Sequence, residues 1–219
     1  MKKTVLFVIL ILSVSLIYAQ DSYQSDEVRT VFSRNKSNGG YGAFTMAYSN
    51  IGGYDAFVSG GRGAFIFDHI LAIGAGGYGF VNNLSYNHYH STPENRMSLA
   101  GGYGGLLIEP IVAGKSPVHV SFPILIGGGG VTLVDMYGWD YWGDPRHGYE
   151  YAYDAFFVFE PAVELEFNLA RWFRLAAAVS YRYTSDINLY RPDSELTNQY
   201  GKDALRGFNY GLTFKFGKF

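Results

Sequence analysis

Residues 155–184, AFFVFEPAVELEFNLARWFRLAAAVSYRYT, change chemistry at every second position. Phe157, Phe159, Pro161, Val163, Leu165 and Phe167 share one parity, and Glu160, Ala162, Glu164 and Glu166 share the other. Past NLAR at 168–171, Phe173, Leu175, Ala177, Val179, Tyr181 and Tyr183 oppose Arg174, Ala176, Ala178, Ser180 and Arg182. Successive side chains of a strand point to opposite faces of its sheet, so each run is a strand with one unbroken apolar face. Val118, Val120, Phe122, Ile124 and Ile126 against His119, Ser121 and Pro123 repeat the pattern, as do Phe208, Tyr210, Leu212, Phe214 and Phe216 against Asn209, Thr213 and Lys215.

The medium met by the apolar face decides the class. A soluble sandwich also alternates, but its outer face is polar and rich in Lys and Glu. Here the non-apolar faces carry mostly small residues and isolated charges, which suits a narrow lumen. Charged residues make up 16% of the chain against roughly 25% in ordinary soluble domains, and aromatic residues make up 18%. The apolar faces are therefore expected to meet lipid.

Eight strands are predicted, near 40–49, 55–67, 70–81, 97–110, 118–134, 155–167, 172–184 and 205–216. Tight connections (FDH at 67–69, AGKSP at 113–117, NLAR at 168–171) alternate with long polar-aromatic ones, except that SNIGGY at 49–54 is brief. Short periplasmic turns and long external loops are the asymmetry of antiparallel up-and-down barrels in the outer membrane. The expected fold is thus an all-β, eight-stranded transmembrane barrel, and the even strand count returns both termini to the periplasm. IGAGGYG at 73–79 and LAGGYGGLL at 99–107 are too rich in small residues for their faces to be assigned.

Residues 1–19 read as a secretory signal peptide, implying export through the Sec pathway. Lys2 and Lys3 precede an apolar run, Val5 to Ile17, shorter than the roughly 18 residues a membrane-spanning helix needs. Residues 20–37 read as a flexible periplasmic lead-in and 38–219 as the barrel. The chain has no cysteine, which excludes disulfide staples and a lipoprotein anchor. A net charge of −2 gives no basic footprint for nucleic acid.

Chemistry is expected in three places. In the lumen, Arg62, Glu109, His119, Glu160, Glu164, Glu166, Arg174, Arg182 and Lys215 form a polar network. If the turn after the sixth strand is centred near Ala170, Glu166 lies across from Arg174, and Glu160 is a diagonal neighbour of Arg182. Opposite charges paired across strands neutralise groups that would otherwise be buried alone. The network reads first as a plug and second as a polar pore or ligand pocket, with lateral gaps at Pro110, Pro123 or Pro161 as a route for a hydrophobic ligand. In the third outer loop, Tyr137, Trp139, Asp140, Tyr141, Trp142 and Asp144 interleave rings with carboxylates, as an interfacial girdle or a recognition surface does. In the second, Ser85, His88, His90, Ser91 and Glu94 would suit a rim acyl-transfer site or a metal pair, or would be merely solvated. No catalytic set, metal site or cofactor is assigned.

The blocks GGYGAF at 39–44, SGGRGAFIFDHILAIGAGGYGFVNN at 59–83, HVSFPILIGGGGV at 119–131, FEPAVELEFNLARWFRL at 159–175, SYRY at 180–183 and FKFGKF at 214–219 resemble small outer-membrane beta-barrel proteins of Bacteroidota-type bacteria. The resemblance implies location and fold and supplies no catalytic residues. A last strand ending in Phe also resembles the recognition signal for the barrel assembly machinery. Counted from Phe219, Phe214 and Phe216 stand one step out of the usual register, which predicts a bulge or frayed end at Gly217. The expected function is a structural or surface-interaction barrel among outer-membrane lipid and lipopolysaccharide, of unknown ligand. The alternatives are a porin-like binding or transport barrel and a lipid A-modifying enzyme.

Overall fold

Pairing of each alternating run with its neighbours closes a ring. The computed structural model describes residues 38–82, 97–135, 153–189 and 200–219, all within the unit Lys36–Phe219. Their strands are β1 (Asn38–Ile51), β2 (Tyr54–Phe67), β3 (Leu71–Asn82), β4 (Met97–Val112), β5 (Val118–Ser121), β6 (Ile124–Asp135), β7 (Tyr153–Ala170), β8 (Phe173–Thr184) and β9 (Gly207–Lys218). All pairings are antiparallel and follow chain order, with β5 and β6 sharing one place between β4 and β7. β9 then pairs with β1, from Ser49↔Asn209 to Gly40↔Lys218. The ring leaves no sheet edge open, as a barrel in lipid requires.

Local chemistry sets the turns. β1 and β2 join through Gly52 and Gly53, both at positive φ (63° and 86°), the two-residue hairpin in which glycine is strongly preferred. The β2–β3 turn takes Asp68 and His69 to φ 51° and 59°, and Ala113 in the β4–β5 turn sits at 59°.

Four expectations are corrected. The fifth wall is broken at Phe122–Pro123, because Pro123 has no N–H for the ladder. The break shifts no register: Ser121↔Glu164 and Ile124↔Pro161 belong to one alignment, so the parity of the faces carries through. Nor does it open a lateral gap, since Phe122 N–H donates to Pro110 O (2.9 Å) and Ala162 N–H to Pro123 O (2.7 Å). The β7–β8 turn falls at Arg171–Trp172, later than expected, with an irregularity between Asn168 and Ala170. Glu166 therefore faces Ala176, and Arg174 faces Asn168. Gly217 is neither bulged nor frayed: it pairs with Tyr41 in an unbroken ladder, and Phe219 turns inward to stack on Tyr41 at 6.2 Å.

Outside, Phe44, Met46, Tyr48, Phe157, Val163, Leu165, Val179, Tyr181, Phe208, Tyr210, Leu212 and Phe216 form an exposed apolar surface over β1 and β7–β9. Aromatic clusters mark both ends, Trp172–Phe173–Phe216 beside a short turn and Tyr181–Phe208–Tyr210 towards the long loops. Paired girdles around an apolar band are the signature of a barrel cut to a bilayer.

Inside, the strands left unassigned resolve. Tyr78, Phe80 and Tyr103 point into the lumen and pack with Phe156 and Val158 against Ile51, Leu99, Leu133, Ile187, Leu189 and Leu205. Glycine makes room for these rings: a Cβ at Gly129 would stand 2.6 Å from Tyr103 Cβ and 2.7 Å from Phe156 Cζ. The loop end of the lumen is thus apolar and filled.

Candidate functional site

Below the apolar cap, seven of the nine predicted lumen residues meet in one buried network: Arg62, Glu109, His119, Glu164, Glu166, Arg174 and Lys215. Strand parity sends each inward from β2, β4, β5, β7, β8 or β9. At its centre Lys215 Nζ donates to Glu109 Oε1 and Glu166 Oε1, both at 2.6 Å, and lies 3.0 Å from Glu164 Oε2. Oxygens of the three carboxylates lie within 4.8 Å of one another, a spacing that suits a metal ion. The cation they hold here is the ammonium of Lys215.

The remaining bonds fix each carboxylate. Arg62 Nη2 donates to Glu164 Oε2 at 2.5 Å and lies 4.0 Å from Glu109 Oε2. Tyr41 O–H donates to Glu109 Oε2, and Ser121 Oγ–H to Glu166 Oε1 at 2.5 Å. Glu166 Oε2 meets His119 Nε2 at 3.1 Å and Arg174 Nη1 at 3.5 Å. Arg174 also lies over the ring of Phe219, 3.9 Å from its centroid, at the short-turn end of the network. Three carboxylates thus face three cationic side chains, with polar partners on the remaining oxygens, which is how buried charge is tolerated.

Glu160 and Arg182 lie apart from this network and, among the described residues, share no ion pair. Both border the stretch of β7 interrupted by Pro161, where the ladder to β8 lacks paired residues. Asn209 links them: Arg182 Nη1 donates to Asn209 Oδ1 at 3.2 Å, and Asn209 Nδ2 donates to Glu160 Oε1 at 2.8 Å. Arg182 also donates to Leu205 O and Ser49 Oγ, and sits over Phe80 and Tyr103 with centroid distances of 5.6 and 5.7 Å. A cavity of about 50 Å³ separates the two groups and touches Glu160, Arg62, Tyr78 and Glu164. It has room for a few water molecules and is far below the roughly 300–1,000 Å³ of small-molecule pockets.

Sequence reasoning placed Asn209, Ser121 and Thr213 on the inner face but gave them no bonds, and it missed Tyr41. The signal for Tyr41 was available, because it shares parity with Ala43, Thr45, Ala47 and Ser49 against Phe44, Met46 and Tyr48. Tyr137, Trp139, Asp140, Tyr141, Trp142 and Asp144, and the loop set Ser85, His88, His90, Ser91 and Glu94, lie outside the described residues, as do the leader and lead-in.

No family model and no curated protein matches the chain. Solved structures do. Neisserial surface protein A is 9% identical with a TM-score of 0.54, over 83% of this chain and 97% of that one. The N-terminal β-barrel domain of Pseudomonas aeruginosa OprF is 10% identical at 0.47, over 83% and 98%. Ail, the attachment invasion locus protein of Yersinia pestis, is 9% identical at 0.45, over 83% and 99%. The fold is that of a small outer-membrane β-barrel. At such low identity the likeness speaks to fold, and the barrel's chemistry rests on its own residues.

Proposed function

We propose that the chain is an integral outer-membrane barrel of structural or surface-contact type, with a lumen that neither conducts nor binds a ligand. The observation that carries this reading is the clamp on Lys215. Glu109 on β4 and Lys215 on β9 reach each other at 2.6 Å across the width of the ring. An eight-stranded barrel is just wide enough for side chains to fill, and here charge pairs fill one part and apolar residues another. With the interior occupied, surface contact is assigned to the loops, and the sequence between β6 and β7 supplies rings and carboxylates for it in residues 137–144. Neisserial surface protein A, of the same fold, is by name a surface protein. The resemblance of its sequence blocks to Bacteroidota-type barrels, the outward apolar band and the leader read from residues 1–19 support export through the Sec pathway, assembly by the barrel machinery, lipid and lipopolysaccharide as surroundings, and periplasmic termini.

The absence of cysteine allows a direct test with single-cysteine variants refolded into lipid vesicles. Cysteine at the outward Val179 or Leu212 is expected to report a lipid environment to a lipid-borne quencher. At the inward Ala178 it is expected to resist a water-soluble maleimide. Rapid labelling at position 178 would show an open aqueous lumen, and a water-exposed report at 179 and 212 would overturn the membrane assignment.

A further inference from the structure

We propose that the short-turn mouth of the barrel is an oxyanion site, shaped for a ligand that carries two or more clustered negative charges of phosphate type. This does not rest on the lumen being closed, although a closed lumen would make the site one of binding rather than passage. The mouth is a bowl of about 700 Å³ into which four separate stretches of chain deliver cations: Lys115 from the β4–β5 turn, Arg171 from the β7–β8 turn, Arg174 from β8 and Lys218 from β9. His69 of the β2–β3 turn and Asn168 complete the polar lining, and none of the described lining residues is Asp or Glu. The ion pairs among the described residues include none to Lys115, Arg171 or Lys218.

Arg174 adds a second, independent observation. It is 4% exposed, its Nη groups are taken by Glu166, His119 and Gly114 O, and its Nε has no hydrogen-bond partner among the described residues. Asn168 is turned towards the β4–β5 turn, its Nδ2 donating to Ser116 O at 2.6 Å. A buried guanidinium behind exposed lysine and arginine adds fixed positive charge to a donor set that suits phosphate: exposed arginine supplies directed N–H bonds and lysine mobile point charge. The walls are low-dielectric protein, which focuses the field of like charges into the concavity. His69 already senses that field. Burial, then the positive charges of Lys115 and Arg174, hold its imidazole below the ordinary range, against the opposing pull of Asp68.

The test uses the whole chain refolded in a non-ionic detergent, with inorganic pyrophosphate as probe and His69 as reporter, its proton resonance assigned by comparison with His69→Gln. Pyrophosphate is expected to move the His69 titration midpoint upward, because a bound anion favours imidazolium. The triple variant Lys115→Gln/Arg171→Gln/Lys218→Gln, altered only at exposed side chains, is expected to bind roughly tenfold more weakly or worse. A parallel arm compares nanodiscs of phosphatidylglycerol with nanodiscs of phosphatidylcholine. A response to phosphatidylglycerol but not pyrophosphate would assign the phosphate to a lipid headgroup, and the reverse to a soluble ligand. Absence of both responses, an equal response in the triple variant, or an equal shift with chloride at matched ionic strength would each overturn the proposal.

Discussion

Lys215 on β9 and Glu109 on β4 are diametrically opposed in the ring, separated by β1, β2 and β3 in one direction and by β8, β7 and β5 in the other, yet Nζ and Oε1 are 2.6 Å apart. A single ion pair therefore spans the lumen, and the second and third carboxylates close around it. Replacing Lys215 by Met leaves Glu109, Glu164 and Glu166 facing one another without their shared cation. Removing one partner of a buried pair costs about 3–5 kcal/mol. Urea unfolding in detergent micelles is expected to show a loss of at least that size. Glu109→Gln on the Lys215→Met background should recover part of it, and two independent, additive losses would show that the triad is not coupled.

Asn209 bonds both Arg182 and Glu160. Asn209→Leu keeps the volume and removes both bonds, leaving an arginine N–H without its acceptor and taking one of two donors from Glu160 Oε1, which keeps Ser180 Oγ. The expected cost is about 1–3 kcal/mol by the same unfolding assay. An unchanged midpoint would mean that the two charges are solvated from the neighbouring cavity.

Strict alternation made much of this barrel readable in advance. On β7, β8 and β9 every residue assigned outward or inward by parity is so placed, because a face that meets lipid allows no exceptions of charge. Registers were less legible: the β7–β8 turn was misplaced, since NLARWF carries no Gly or Pro to fix its centre, and the Glu166–Arg174 contact became diagonal. The glycine-rich strands hid their faces because both sides are small. Their logic lies in Tyr78, Phe80, Tyr103 and Phe156, which use the space that glycine leaves and come from sequence-distant strands. Parity also cannot tell which inward charges will meet: the β7–β8 alignment sets Glu160 directly across from Arg182 rather than diagonally, yet Asn209 bridges the two in place of a direct ion pair.

Adjacent glycines should then behave differently. Gly129 faces the packed rings, and a Cβ there meets Tyr103 and Phe156 within 2.7 Å; at Gly130 the nearest atom, Asp154 O, is 3.8 Å away. Gly129→Ala is expected to cost about 1–3 kcal/mol through overpacking. Gly130→Ala should be neutral or stabilising by up to about 1 kcal/mol, since alanine restricts the unfolded chain more. Equal effects in unfolding titrations would show that the inner rings adjust freely.

His69, in a turn outside the membrane-spanning strands, offers a pH readout. Its titration is expected below the ordinary histidine range, with burial as the main cause and Lys115 and Arg174 adding to it. Lys115→Gln removes one repelling positive charge, so the midpoint measured by proton NMR should rise. A midpoint that stays put or falls would mean that Lys115 points away from the imidazole.

Single-channel recording of the refolded wild-type chain in a planar bilayer tests the closed lumen most directly. No steady conductance is expected, and none should appear with Glu160→Gln or Arg182→Gln, because the Lys215 clamp and the apolar cap remain in both. A steady wild-type conductance whose ion selectivity changes with Glu160→Gln would contradict the closed barrel and make the lumen a pathway.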